Sequence, residues 1–175
     1  MTLVAWQPWA DLTPTERRRR ADTAGFATLR GGPVSEAAQA MIDDLLETTI
    51  IPAKAAKVAV RPSSRDKLRE ALGAFVCDLL LAAAKGRAVK LSIRRDEFTS
   101  RTVKWTAFND VWRSMVAAEM LEHSPGYRAG MSGPKAPVFC ATPMLLATAQ
   151  RHGIGLERIE RDFTVTTPEL LKADA

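Results

Sequence analysis

Residues 65–84, RDKLREALGAFVCDLLLAAA, place Leu68, Leu72, Phe75, Val76, Leu79, Leu80 and Ala83 at helical spacing. The stripe is broad, so a helix here must be covered over most of its girth. It belongs at the centre of a domain, and the rest of the chain has to supply the cover. Ser64 is the expected start. Lys85-Gly86 is the expected stop, a cation and a glycine where a helix C-terminus favours them.

The next segments are shorter. Residues 88–93 alternate, with Val89, Leu91 and Ile93 on one face and Lys90 and Ser92 on the other, the pattern of a strand. Residues 104–122 read as a helix burying Phe108, Val111, Trp112, Met115 and Ala118. Residues 123–128 and 136–141 read as two strands joined across Gly130-Met131-Ser132-Gly133-Pro134, with Arg128 and Lys135 flanking the tip. Tyr127 suits either a nucleic-acid backbone contact or a half-buried strand position. Thr142-Pro143 caps a helix over 144–152, and Gly153 stops it.

The first 60 residues carry their own signals. Trp6 and Trp9 surround Pro8, and two exposed tryptophans would be wasteful, so this segment is expected to pack on its own domain or on a dimer partner. Thr13-Pro14-Thr15-Glu16 has the form of a capping box and predicts a helix to about Thr23, ended by Gly25. Arg17 to Arg20 suits a solvated face with one or two stems packed flat, or phosphate contact; the two readings stand level. Ser35 caps a helix over 36–49 with Ala38, Met41, Ile42, Leu45, Leu46 and Thr49 on one face, and Pro52 is expected to end it. Residues 51–64 read as a connection, with a short extended stretch at 57–60.

The chain has 175 residues, 46% of them apolar, enough for a packed core and too many for global disorder. Its formal net charge is +5. The excess is local. Lys85, Arg87, Lys90, Arg94, Arg95, Arg101 and Lys104 stand against only Asp96 and Glu97 in residues 85–104. A positive stripe in the middle of a chain implies a polyanionic partner. Cys77 and Cys140 lie in apolar runs and read as free buried thiols, and His123 and His152 stand apart, which argues against zinc. No secretory signal and no apolar run of membrane-spanning length is present, so the expected location is cytoplasmic, with no membrane partner.

In element order, residues 65–152 resemble the winged-helix superfamily. A narrower likeness rests on Trp112-Arg113 through Ala118, Leu121-Glu122, Gly126-Tyr127, and Cys140-Ala141-Thr142-Pro143 with Leu145-Leu146. These strings resemble winged-helix regions of replication-initiator-like proteins from bacterial plasmids and mobile elements. Cys140 stands where that motif has an arginine. Phe163 with Pro168-Glu169-Leu170 looks like the continuation after such a domain. Thr167-Pro168-Glu169 also reads as a further helix start near the terminus, either a frayed tail or the front of a longer protein.

The resulting expectation is a mainly α protein with a small antiparallel β-hairpin: a winged helix-turn-helix at 63–155, an N-terminal helical arm at 1–62 and a tail at 156–175. The partner is double-stranded DNA, bound without catalysis or cofactor. In a winged helix one helix enters the major groove and the hairpin touches the backbone. Arg94, Arg95, Ser100, Arg101, Thr102 and Lys104 would hold phosphates, as cations and hydroxyls do. Thr106, Asn109 and Arg113 share a helical stripe facing the bases, with Asp110 either orienting Arg113 or accepting from cytosine. Arg128 and Lys135 would serve the wing. The same face suits an ordinary solvated helix, with Arg95 paired to Asp96 or Glu97. Asp43, Asp44 and Glu47 could be imagined as a metal site, but they sit where solvated acids are usual. No phosphate-binding loop, Gly-x-Ser-x-Gly or His-x-x-x-His occurs. A homodimer through residues 1–60 and a protein-docking module within a larger assembly are the further expectations.

Overall fold

Helix α4, Pro62–Ala84, runs through the apolar core of the computed structural model, which describes residues 7–98, 102–124 and 136–164. Its apolar stripe is buried as the spacing requires, and so is nearly everything between Ala71 and Leu80. The helix starts two residues before Ser64. Pro62 takes the first turn, where its missing N–H costs nothing, and no side chain caps Arg61. Gly86 leaves the helix at φ 66°.

Helix α1, Pro14–Thr23, has the full capping box: Thr13 Oγ1 accepts from Glu16 N–H, and Glu16 Oε1 accepts from Thr13 N–H at 3.0 Å. Helix α2, Glu36–Leu45, starts on Ser35 as expected. Its end differs. The chain continues through a wider π turn, Leu46–Ile50, into helix α3, Ile51–Ala55, with Pro52 inside the helical path. The π turn re-spaces the hydrogen bonds just where proline has no N–H to give, so the proline is absorbed rather than terminating. Residues 57–60 form no strand.

Helix α5, Trp105–Ala117, ends five residues before its apolar spacing suggested. The chain turns at Glu119, φ 62°, and Leu121 begins a strand instead. Thr142 holds this turn: its hydroxyl donates to the Glu119 carbonyl at 2.6 Å, and it makes no side-chain cap to helix α6, Pro143–Arg151.

The chain is mainly helical with a small sheet. Strands β1 (Gly25–Phe26), β3 (Val89–Lys90), β5 (Val138–Ala141) and β4 (Leu121–Ser124) lie side by side in that order. β1 runs parallel to β3; β3–β5 and β5–β4 are antiparallel, with Val89 opposite Phe139 and His123 opposite Phe139. β4 starts two residues earlier than expected and 125–128 lie outside the described residues, β5 starts at Val138 rather than 136, and β3 covers two residues of the expected six. Strand β2 (Gly32–Pro33) pairs antiparallel with β6 (Phe163–Thr164). At Gly31 a Cβ would come within 2.6 Å of both Cys77 Sγ and the Thr164 carbonyl, so this close approach admits only glycine.

One apolar cluster extends from Ala27 to Phe163 and crosses both expected boundaries, at 62/63 and 155/156. Met41, Ile42, Leu45 and Leu46 of the α2 segment lie in it fully buried. At its centre Phe75 meets the edges of Phe108 (5.0 Å) and Phe139 (5.3 Å). These rings join α4, α5 and β5. Phe75→Ala should lower unfolding free energy by about 3–5 kcal/mol in urea denaturation. A loss below about 1 kcal/mol would show that the three-ring contact is peripheral.

Candidate nucleic-acid interface

Trp105 fixes the N-terminus of α5. Its indole Nε1 donates to the Ile93 carbonyl at 2.8 Å, tying the helix to the segment that leaves β3. Between them the short 3-10 turn Arg95–Phe98 drops Phe98 into the core, where it stacks on Phe108 at 5.1 Å. The first turn of α5 is thereby held down on its apolar side, and the opposite face is turned to solvent.

The expected contact residues divide by place. Thr102, Lys104, Thr106 and Arg113 are exposed along α5 and its approach, and Arg94 and Arg95 are exposed just before it. Arg95 lies over the Trp105 ring at 5.6 Å. Arg94, rather than Arg95, pairs with Asp96, at 3.0 Å and in open solvent, where such a pair contributes little. Ser100, Arg101, Arg128 and Lys135, with Trp6 and Tyr127, lie outside the described residues.

Trp112 organises the exposed face of α5. Its Nε1 donates to Asn109 Oδ1 at 3.0 Å, and the Arg113 guanidinium lies 5.5 Å from its ring centroid. Asn109 is half-buried. Asp110 does not pair with Arg113. Its carboxylate pairs with Lys54 of α3 at 2.8 Å. The acidic residue that would have repelled phosphate is neutralised by a cation from a different helix. Periodicity could not find this pair, since Lys54 lies 56 residues away in sequence.

The other charged clusters are internal. Asp43, Asp44 and Glu47 pair with Arg69 (2.7 Å), His152 (3.1 Å) and Arg65 respectively, fastening α2 to α4 and to the end of α6. Each of these acids has a basic partner, and no cluster of metal-binding side chains occurs among the described residues. Of the arginine run, Arg17 lies over Trp9 and donates to the Trp9 carbonyl, and Arg20 pairs with Glu122 of β4 at 2.7 Å. Trp9 therefore packs on its own chain. Arg18 and Arg19 stay exposed. Cys77 is buried and free, its thiol pushed up to about 12, first by burial and then by the Asp78 charge. Cys140 is half-buried, its thiol directed at the Ala141 carbonyl at 3.7 Å. No helix among the described residues is long and apolar enough to cross a membrane.

No protein-family model, curated protein or solved structure gives a significant match to this chain.

His123 was missed as a structural element of the site. It sits on β4 between Trp112 (4.8 Å) and Phe139 (5.2 Å), and its Nε2 is buried without a hydrogen-bond partner. Burial holds its pKa below the ordinary 6.5. The neutral ring is thus the native form, and below pH 6.5 the unfolded chain binds the extra proton. Stability should fall as pH drops through that range. His123→Phe should flatten this part of the profile in thermal melts taken across it. An unchanged slope in the variant would assign the acid sensitivity elsewhere.

Proposed function

We propose that the chain binds double-stranded DNA through a winged helix, without catalysis. In this reading α4 is the first helix, the 95–98 turn and α5 form the turn and the major-groove helix, and β4–β5 is the wing with β3 closing its sheet. The observation that carries it is the conjunction of two things. The order β3–β5–β4 follows a central helix and encloses α5, and the outward face of α5 and its approach bears Arg94, Arg95, Lys104 and Arg113 with the α5 carboxylate Asp110 tied back to Lys54. Arg94, Arg95, Lys104 and Thr102 suit phosphates, and Ser100, Arg101, Arg128 and Lys135 are added from their sequence positions, outside the described residues. Thr106, Asn109 and Arg113 suit base edges. A bidentate Asn109–adenine contact would have to share the oxygen that Trp112 already uses.

The resemblance to replication-initiator-like proteins extends the proposal to replication initiation or transcription control of a plasmid or mobile element. A two-fold arrangement on DNA would have to use something other than the Met41–Leu46 stripe, which the core already covers. Phe26, Val34 and Val58 are the large apolar side chains of that region exposed among the described residues.

A duplex selected from a random pool, followed by fluorescence anisotropy at several salt concentrations, tests the reading. Replacing Arg95 and Lys104 together by alanine should weaken binding to every sequence and reduce the salt slope by roughly two. Arg113→Ala should cost about 1–3 kcal/mol on the selected site and much less on random duplex. Unchanged affinity in both variants at moderate salt would refute this assignment of the interface.

A further inference from the structure

A second concave site lies away from the α5 face. A half-open pocket of about 340 Å³ separates α1 from the C-terminal end of α4 and from β5. Its floor is apolar, built from Ala88, Ala141 and Leu146. Its rim is cationic, with Arg19, Arg20 and Arg87. Glu16 is the acidic side chain among the lining residues, and the capping box holds that carboxylate and keeps its pKa low, chiefly through the Thr13 N–H. Arg20 is engaged by Glu122 and by the Gln7 carbonyl at 2.6 Å. Arg19 is exposed and its guanidinium bonds to no described residue, so it is the cation ready for an incoming anion.

We propose that this pocket binds a small amphipathic organic anion, a carboxylate or sulfonate carrying a hydrocarbon body. Its volume is within the range of small-molecule sites, and few convergent polar groups on an apolar floor are their usual lining. Glu122 offsets Arg20, so the selection for an anion falls to Arg19, exposed at the rim while Glu16 is held in the capping box. Arginine is suited to carboxylate and sulfonate oxygens through its planar fork of donors. The floor selects a ligand with an apolar body over a free inorganic anion. The proposal is independent of DNA binding.

Cys140 lines the pocket, while Cys77 is buried with its thiol raised to about 12. Alkylation by iodoacetamide at neutral pH therefore reports on the pocket alone. The probe is 8-anilino-1-naphthalenesulfonate added to the folded full chain. Binding should saturate at one per chain, and Cys140 alkylation should slow over the same concentration range. Hydrogen exchange of peptides spanning 83–88 and 140–146 should slow in parallel, a readout that does not depend on thiol reactivity. The neutral analogue N-phenyl-1-naphthylamine and the variant Arg19→Gln should each reduce affinity about tenfold, the equivalent of one charge-assisted hydrogen bond. Arg19 is exposed, so the variant should melt like the parent. Equal binding of the neutral analogue, or probe binding that leaves both Cys140 and these peptides unprotected, would overturn the proposal.

Discussion

The edge-to-face contact of Phe75 with Phe108 and Phe139 is the constraint on which the arrangement depends. Each such pair contributes about 0.5–1.5 kcal/mol beyond the area it buries, and its angular preference restricts how the rings can be turned. One ring comes from the central helix, one from α5 and one from the hairpin. Phe98 stacks on Phe108, and Trp112 and His123 pack around Phe139, so the same set reaches both ends of α5. The orientation of the exposed α5 face is thus a consequence of core packing, not of surface chemistry. A shift of any one ring would rotate Arg113 and Asn109 together.

Around this centre, buried and half-buried charges act as fasteners. Asp78 is a core residue only 2% exposed, yet its carboxylate is well supplied with donors: Thr28 N–H at 3.1 Å, Leu29 N–H at 2.9 Å and the Thr28 hydroxyl at 3.2 Å. Removing that carboxylate from water would be costly without them. With them it holds the loop at Leu29 in its left-handed conformation, φ 53°, against α4. Lys54–Asp110 and the three pairs on the acidic face of α2 work in the same way at the surface, although each exposed pair contributes little alone. Their value is geometric. They place α2 and α3 against α4 and α5 in one register.

Local signals were legible and nonlocal ones were not. The Thr13–Glu16 capping box, the Ser35 cap, the α4 stripe and the glycines at 86 and 153 all depend on residues within one helical turn, and each ended up where its chemistry placed it. The misreadings come from partners distant in sequence. Met115, Ala118 and Leu121 keep helical spacing, but Thr142 pulls Glu119 into a turn and converts Leu121 to a strand residue. Pro52 signals a helix end in isolation, and a π turn just before it absorbs the missing donor. β1 and β2 are two residues each, too short for any period to show, and exist because β3 and β6 offer them backbone partners. At the candidate interface, the exposed stripe of α5 followed from 100° spacing, whereas the Trp112–Asn109 bond and the removal of Asp110 by Lys54 required the tertiary structure.

The distribution of free cations follows from the same bookkeeping. A run such as Arg17 to Arg20 puts charge on every side of a helix, so tertiary contacts decide which charges remain available. Trp9 takes the stem of Arg17 and Glu122 takes Arg20, both at partly buried positions where a lone guanidinium would be costly. Asp96 takes Arg94, and Asp43 and Glu47 take Arg69 and Arg65. Arg95 and Arg113, unlike the half-buried Arg17, are exposed as well as resting on a tryptophan face, which attracts the cation without neutralising it. An aromatic platform fixes where the guanidinium sits and leaves its hydrogen-bond donors and its charge directed outward, which a carboxylate partner would not. Two such platforms, Trp105 and Trp112, stand along α5 seven residues apart, two turns on one helix. That spacing sets Arg95, from the turn before the helix, and Arg113, on the helix itself, on two aromatic supports with no carboxylate partner among the described residues, which is the physical argument behind the proposed anionic partner.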